Sequence, residues 1–261
     1  MTDTIIKVNN VVKSFHVGVQ DVEVLRGISF TVKQGDFLVI FGPSGCGKST
    51  LLHTVLGLEV PDAGEVVFFD QNLYENTTED DRSEFRKRHM GIIYQQPNWI
   101  KSLTVIENIA FPLSLLGTSK SEAIQKSAQI LQSLELSNWV NYQPTELSSG
   151  QQQKVALARG MVINPEVLVA DEPTGNLDYE SGQDLMEMLL KLNKEGKTII
   201  MVTHDLEYLA FAKSAIQMFD GKIVKVYEGK EKDALLRKTK TKRGDLMVHL
   251  TPKAAEEKKV S

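Results

Sequence analysis

The chain has 261 residues, of which 41% are hydrophobic and 25% are charged, and its formal net charge is −4. These values are typical of a soluble globular protein and exclude a wholly disordered chain. Because the sequence has no run of about 18 apolar residues, no transmembrane helix is expected. The N-terminal MTDTIIKVNN lacks the pattern of a secretory signal, and the single cysteine, Cys46, suits a reducing cytoplasm.

Short strands are predicted first at Ile5–Val12 and Gly27–Val32, as an antiparallel flank. Phe37–Phe41 (FLVIF) is apolar on both faces, which is typical of a buried parallel strand. Three later runs are likewise apolar and then abruptly polar, namely Gly91–Tyr94, Val167–Ala170 and Thr198–Val202. Since open α/β sheets bind ligands beyond the carboxyl ends of their strands, we expect the residues that follow these four strands to share one edge.

About 70 residues between Tyr94 and Val167 show helical periodicity instead. Helices are predicted there at Leu103–Leu116, Glu122–Leu134 and Gly150–Met161. We interpret residues 96–165 as a helical subdomain inserted into a sheet domain of residues 1–229. Beyond Lys222 only Ile223–Tyr227 is predicted as a strand, and residues 230–261 form a basic extension with ten Lys or Arg and five Asp or Glu.

Residues 42–49 read GPSGCGKS and match the phosphate-binding pattern G-x-x-x-x-G-K-[ST] between a strand and a predicted helix, Ser49–Leu56. The glycines let backbone N–H groups point at phosphate oxygens, and the helix start adds partial positive charge. Lys48 supplies a full charge and the Ser49 hydroxyl a ligand for Mg²⁺. Contacts to a nucleotide are therefore predicted from Gly42, Pro43, Ser44, Gly45, Cys46, Gly47, Lys48, Ser49 and Thr50.

Carboxylates and a histidine follow two other apolar runs. Asp171 and Glu172 end VLVADE, where Asp171 is predicted to hold Mg²⁺ and Glu172 to polarise the attacking water. His204 follows TIIMVT, and its imidazole is predicted to contact the γ-phosphate and that water. The predicted catalytic residues are therefore Lys48, Glu172 and His204.

Residues 147–153 read LSSGQQQ, and with the motifs above they make residues 4 to about 228 resemble the ATP-binding subunits of ABC (ATP-binding cassette) transporters. The resemblance implies an α/β fold: a P-loop NTPase core with a mainly parallel sheet, an antiparallel β flank and an inserted helical subdomain. It also implies a homodimer in which Ser148, Ser149, Gly150 and Gln151 contact the γ-phosphate held by the opposite subunit. Ser149 and Lys154 depart from the glycine and arginine that are commoner in the family.

The resemblance implies further roles by position. Gln95 would touch Mg²⁺ together with Ser49 and Asp171, Phe15 would stack on adenine, and Asp178 would lie where two subunits meet. Residues 96–116 would dock a separate integral membrane permease on the cytoplasmic face of the membrane, with Trp99 and Ile100 as exposed apolar contacts. The implied ligands are ATP and Mg²⁺.

The combination of ADEPTGNLD with ENIAFPL is most similar to the branch that includes lipoprotein-releasing, macrolide-export and cell-division ATPases. Two alternatives stay open from the sequence. One is a soluble ABC ATPase that acts on nucleic acid or ribosomes, which the basic extension favours, although nucleic acid is not the partner expected. The other is a P-loop kinase, which would need a pocket for an acceptor.

Overall fold

The computed structural model describes residues 4–241, and within them the chain forms ten strands and seven α-helices. The strands are β1 Thr4–Val17, β2 Gln20–Lys33, β3 Phe37–Phe41, β4 Ala63–Phe68, β5 Gln71–Asn72, β6 Met90–Tyr94, β7 Val167–Asp171, β8 Thr198–Thr203, β9 Ser214–Phe219 and β10 Lys222–Glu228. The helices are α1 Lys48–Val55, α2 Glu79–His89, α3 Val105–Leu115, α4 Lys120–Ser133, α5 Ser149–Met161, α6 Tyr179–Lys194 and α7 Gly229–Thr241.

The central sheet has the strand order β10-β9-β3-β8-β7-β6, and all its pairings are parallel except that of β10 with β9. Strand β3 is buried along its whole length and β8 likewise, which explains why these strands lack polar alternation. The register pairs Phe41 with Thr203, and Asp171 with both Val202 and Tyr94. The carboxyl ends of β3, β6, β7 and β8 therefore meet at one edge, as the sequence predicted.

The second sheet is antiparallel, with the order β2-β1-β4-β5. Its apolar side chains share a core with one face of the central sheet and with α1, through residues such as Ile6, Leu25 and Leu51. The other face of the central sheet packs on α6, where Leu185 and Leu189 are buried. The predicted combination of a parallel core and an antiparallel flank is confirmed.

Helices α3, α4 and α5 lie between β6 and β7 and enclose a core of their own, which includes Ile109, Leu131 and Val155. This agrees with the inserted helical unit of the expected fold class, while the boundaries at residues 96 and 165 stay a prediction. None of the helices in residues 4–241 has the length and apolar character needed to cross a bilayer.

Six elements were absent from the sequence-based prediction: β4, β5, α2, α6, β9 and α7. The basic extension was predicted only as an appendage, and its first part is helix α7, with Leu235 buried at 6% exposure. Residues 242–261 lie outside the described residues.

Candidate functional site

The loop between β3 and α1 holds the predicted phosphate-binding residues. Lys48 is only 6% exposed, and its ammonium donates to the carbonyl oxygens of Gly42, at 2.9 Å, and Pro43, at 3.0 Å. Gly47 has φ 100°, and a Cβ at this position would lie 2.8 Å from the carbonyl oxygen of Val24 on β2. The loop therefore requires glycine at 47, both for its backbone conformation and for its close packing on the flank.

Cys46 lies inside this loop with its thiol buried at 4% exposure. Burial raises the pKa of the Cys46 thiol, and the charge of Lys48 offsets part of that effect. A thiol that stays protonated is a weak nucleophile. Cys46 therefore contributes packing and its backbone to the loop.

Asp171, at the end of β7, faces the first turn of α1. The Ser49 side chain, at the start of α1, lies close enough to the Asp171 carboxylate to lower its pKa, so the two predicted metal ligands are near each other. The net shift is nevertheless upward: burial raises the pKa of Asp171 and the nearby Glu172 adds to this effect, while His53, Ser49 and Lys48 act against it. Among the described residues, the buried Oδ1 of Asp171 has no hydrogen-bond partner. A buried carboxylate oxygen without a partner suits a cation as its ligand.

Glu172 and His204 come together at the same edge. Nδ1 of His204 lies 3.1 Å from Oε2 of Glu172, and the Glu172 side chain is 22% exposed. Glu172 has φ 44°, in the left-handed region, and its backbone N–H donates to the Val202 carbonyl at 2.9 Å. Non-glycine residues in that region are enriched at functional sites, where the surrounding structure holds the strain.

Both side chains line one cavity of about 340 Å³, together with Thr174, Tyr179 and Tyr208. The cavity opens to the surface, so solvent can reach both side chains.

Gln95 follows β6 and is held from two sides. Its carbonyl accepts from Nε2 of Gln153 on α5 at 3.0 Å and from Nδ2 of Asn176 at 3.4 Å. The Gln95 amide lies so close to Gly175 that a Cβ there would be 2.6 Å from Nε2. Gln95 is therefore in contact with both α5 and the segment after Glu172.

The serine-rich segment forms the N-terminal tip of α5. Ser148 caps the helix: its hydroxyl accepts from the Gln151 N–H at 3.3 Å, while Gln151 Oε1 accepts from the Ser148 N–H at 3.0 Å. Ser148 and Ser149 are exposed and Gly150 is buried. Ser149 lines a different cavity from that of Glu172 and His204, a space of about 340 Å³ shared with Gln95. An exposed helix N-terminus with hydroxyl donors is suited to an anion from outside the chain.

Two further predicted residues lie on the flanks of this edge. Phe15 is on β1, paired with Val22 of β2, and the ammonium of Lys13 lies 5.2 Å from the centre of its ring. Asp178 caps α6 by accepting from the Ser181 N–H at 2.8 Å and from the Ser181 hydroxyl at 3.1 Å, and these bonds lower its pKa. A Cβ on Gly150 would lie 2.7 Å from that hydroxyl, so the Asp178 segment contacts the tip of α5.

The prediction that Trp99 and Ile100 are exposed is wrong, because both are partly buried. The Trp99 indole N–H donates to Oε1 of Gln152 at 2.9 Å, and the guanidinium of Arg159 lies 4.6 Å from the indole ring centre. Arg159 also donates to the carbonyls of Pro97 and Asn98. Sequence reasoning missed this clamp of Trp99, Gln152 and Arg159, since Trp99 is 53 residues away from Gln152 in the sequence and further from Arg159.

A phosphate loop, a carboxylate pair and a histidine at the carboxyl edge of a parallel sheet, with a serine-capped helix tip on an inserted helical unit, define a P-loop nucleotide hydrolase of the cassette type. The family model described as ABC transporter matches residues 25–175. An uncharacterized ABC transporter ATP-binding protein of Methanocaldococcus jannaschii is 41% identical over 221 residues, 85% of this chain and 98% of that protein.

The macrolide export ATP-binding/permease protein MacB of Aggregatibacter actinomycetemcomitans is 39% identical over 84% of this chain, which spans only 34% of that protein. A dimeric structure of the ATP-binding cassette MJ0796 in a post-hydrolysis state, bound to ADP and Pi, aligns with a TM-score of 0.80 and 35% identity, over 85% of this chain and 98% of that chain. The chain belongs to the ABC transporter family, as an ATP-binding subunit with ATPase activity, and its resemblance to the macrolide-export branch is confirmed.

Proposed function

We propose that two copies of this chain enclose two ATP–Mg²⁺ and that ATP closure and hydrolysis drive a conformational change in a separate membrane permease. The phosphate loop of one copy faces the Ser148–Gln151 tip of the other. Two observations support this arrangement: Ser149 and Glu172 line separate cavities within one chain, and the similar MJ0796 cassette was solved as a dimer. ATP binding then stabilises the closed pair by binding it preferentially.

The phosphate-loop backbone and Lys48 bind the β- and γ-phosphates, and Phe15 stacks on adenine. The buried position of Lys48 supports its role, because a charge held by two carbonyls is already oriented when a phosphate arrives. Phe15 keeps the π-face that stacking requires, on a strand pair that packs against Gly47.

Mg²⁺ would be held by the Ser49 hydroxyl and Gln95, and by Asp171 through a bound water. The donor set fits, since it consists of oxygen ligands and includes the buried, unpartnered Oδ1 of Asp171. The ion neutralises charge on the β- and γ-phosphates when it is bound.

Hydrolysis rests on Glu172 and His204, and the 3.1 Å contact between them is the observation that carries the proposal. Glu172 accepts a proton from the attacking water, whose oxygen bonds to the γ-phosphorus as the bond from phosphorus to the ADP oxygen breaks. An ionised carboxylate only accepts, so His204 donates to Glu172 from Nδ1. Nε2 of the neutral imidazole then accepts from the attacking water, whereas Nε2 of the imidazolium would donate to the γ-phosphate.

The decisive experiment is Glu172→Gln, which removes the base and keeps the shape. We expect ATP binding to persist, turnover to be lost, and ATP–Mg²⁺ to shift the protein from monomer to dimer in analytical ultracentrifugation. Parental turnover by this variant would exclude Glu172 as the base. A variant that lacks turnover but stays monomeric with ATP–Mg²⁺ would exclude the proposed dimer with ATP enclosed between its two copies.

The permease is proposed to dock near residues 96–116, with this chain peripheral on the cytoplasmic face of the membrane. Within that range the exposed large apolar residues are Phe111, at 39% exposure, and Leu115, at 51%, both on α3. Phe111→Ser with Leu115→Ser should abolish co-purification of the permease and leave basal ATPase activity at the parental value. Retained co-purification would place the docking surface elsewhere.

A soluble ABC ATPase that acts on nucleic acid is the second candidate, favoured by the basic residues of 230–261. It predicts tight binding of DNA or RNA that weakens steeply with salt. Absence of such binding at low ionic strength would remove this candidate.

A further inference from the structure

Helix α7 packs against the segment that follows His204. That segment is a 3-10 helix, Leu206–Ala210, and two of its residues, Tyr208 at 6% exposure and Leu209 at 0%, belong to the same core cluster as Leu235 of α7. The Lys232 ammonium donates to the carbonyl oxygen of Ala212, just past the 3-10 helix. One helix therefore holds the segment at two points.

The connection between this segment and the active-site edge is very short. Only His204 and Asp205 lie between Thr203, the buried last residue of β8, and the 3-10 helix. The Asp205 N–H donates to the Thr203 hydroxyl at 3.0 Å, and Asp205 Oδ1 accepts from the Glu207 N–H at 2.9 Å. A displacement of the 3-10 helix would therefore also displace the backbone of His204, because the connection is too short to adjust independently.

The imidazole itself has little packing to fix its place. The His204 side chain is 51% exposed, and its contact with Glu172 is a single one at 3.1 Å. Its orientation consequently depends on where the backbone of residues 204–205 is held.

We infer that α7 is a positioning element for His204: by holding the 3-10 helix Leu206–Ala210, it sets the distance between the imidazole and Glu172. The inference rests on the proposed role of His204 in hydrolysis. It gives the start of the basic extension a function, in which Leu235 and Lys232 act through the 3-10 helix and not on the reacting atoms. Because the connection is mechanical, a change in α7 should alter the rate of hydrolysis more than the affinity for ATP.

The test is the ATPase activity of the full chain with Leu235→Ala, compared with Leu235→Met and Ala234→Gln. Leu235→Ala should lower kcat by about tenfold with KM for ATP nearly unchanged, since a misplacement on the order of 1 Å costs up to about 100-fold. Leu235→Met refills the volume and should restore kcat. Ala234→Gln changes an exposed neighbour on the same helix and should match the parent.

A double-variant comparison separates this role from a general loss of stability. In a His204→Ala background, Leu235→Ala should lower kcat no further, because the group that it positions is gone. Equal losses with and without His204 would overturn the inference. The inference would also be overturned if His204→Ala abolished activity while Leu235→Ala kept the parental kcat.

Two further measurements complete the test. If His204→Ala alone keeps the parental kcat, the proposed role of His204 fails instead, which makes the two failures distinguishable. Should Leu235→Ala not fold, Lys232→Met removes only the bond to Ala212 at a partly exposed position, and it should lower kcat in the same direction. A folded Lys232→Met protein with parental kcat and the parental pH profile would then overturn the inference.

Discussion

Nδ1 of His204 and Oε2 of Glu172 lie 3.1 Å apart, although the two residues follow different strands and are 32 positions apart in the sequence. The parallel register of β7 and β8, which pairs Asp171 with Val202, creates this contact. The two side chains should therefore act as one unit in hydrolysis.

The first prediction concerns that unit. Glu172→Gln and His204→Ala should each lower kcat by about 10² to 10⁴-fold, the usual contribution of a positioned acid–base group. The double variant should be little worse than either single one, since groups that act together are not additive. Steady-state phosphate release measures all three, with ATP affinity as the control. Losses that multiply would show that the two residues act independently.

The second prediction is that Asp171→Asn stabilises the fold while it removes the metal site. The folded-state pKa of Asp171 is raised by burial, so the ionised carboxylate lowers stability at every pH above that value. Asn removes this penalty, and Tm in EDTA should rise at neutral pH. The gain should shrink as pH falls through the raised pKa and vanish below the ordinary aspartate pKa. Stabilisation by ATP–Mg²⁺ should be lost.

The matched control for this prediction is Asp233→Asn, which alters an exposed carboxylate and should leave Tm unchanged at every pH. A lower Tm for Asp171→Asn at neutral pH would mean that the carboxylate makes stabilising contacts that outweigh its desolvation.

The third prediction concerns the clamp of Trp99, Gln152 and Arg159. Trp99→Ala removes a half-buried ring and uncovers Arg159. We expect the free energy of unfolding to fall by about 2 kcal/mol, which is less than the about 3–5 kcal/mol lost when a fully buried aromatic residue is replaced by alanine. Trp99→Phe keeps the ring face for Arg159 and loses one hydrogen bond, which costs about 1 kcal/mol. Urea denaturation measures both. Equal stability of all three proteins would show that the clamp contributes nothing.

The fourth prediction compares two glycines of the phosphate loop, both with positive φ. A Cβ added at Gly45 would have no atom within 4 Å. Gly45→Ala should therefore lower the free energy of unfolding by only about 1–2 kcal/mol, the cost of an alanine in the left-handed backbone region. Gly47→Ala adds a contact of 2.8 Å with the Val24 carbonyl, so its loss of Tm should be clearly larger. Calorimetry distinguishes the two, and a Gly47→Ala protein as stable as Gly45→Ala would contradict the close packing.

The meeting of the candidate site residues at one edge of the sheet could be predicted because each part is local. The phosphate loop, the Asp171–Glu172 pair and His204 each follow a short apolar strand, and the rule for parallel sheets brings their ends together. The sequence does not predict which residues from other parts of the chain contact each site side chain and hold it in position. The contacts of Gln95 with Gln153 and Gly175, and of Trp99 with Arg159, join distant parts of the chain.

Two of the missed elements, α2 and β9, depart from the apolar patterns that reveal helices and strands. Helix α2 (EDDRSEFRKRH) buries no residue; the Thr78–Asp81 capping box and ion pairs such as Glu79–Arg86 stabilise it instead. Strand β9 contains Gln217, which is buried because the Tyr227 hydroxyl donates to its Oε1 at 2.8 Å. A tertiary partner thus makes a polar residue acceptable in a strand, and the sequence gives no local sign of it.

The contact between the Ser181 hydroxyl and Gly150 has a consequence for the proposed pair of copies. Ser181 is bonded to Asp178, which would meet the neighbouring copy, while Gly150 belongs to the tip that would reach the neighbour's γ-phosphate. ATP bound at one site would therefore change the affinity of the other site for ATP, because Ser181 contacts both the residue at the subunit contact, Asp178, and the helix tip at Gly150. ATP saturation curves should accordingly be sigmoidal, and Ser181→Gly should bring them toward a simple hyperbola.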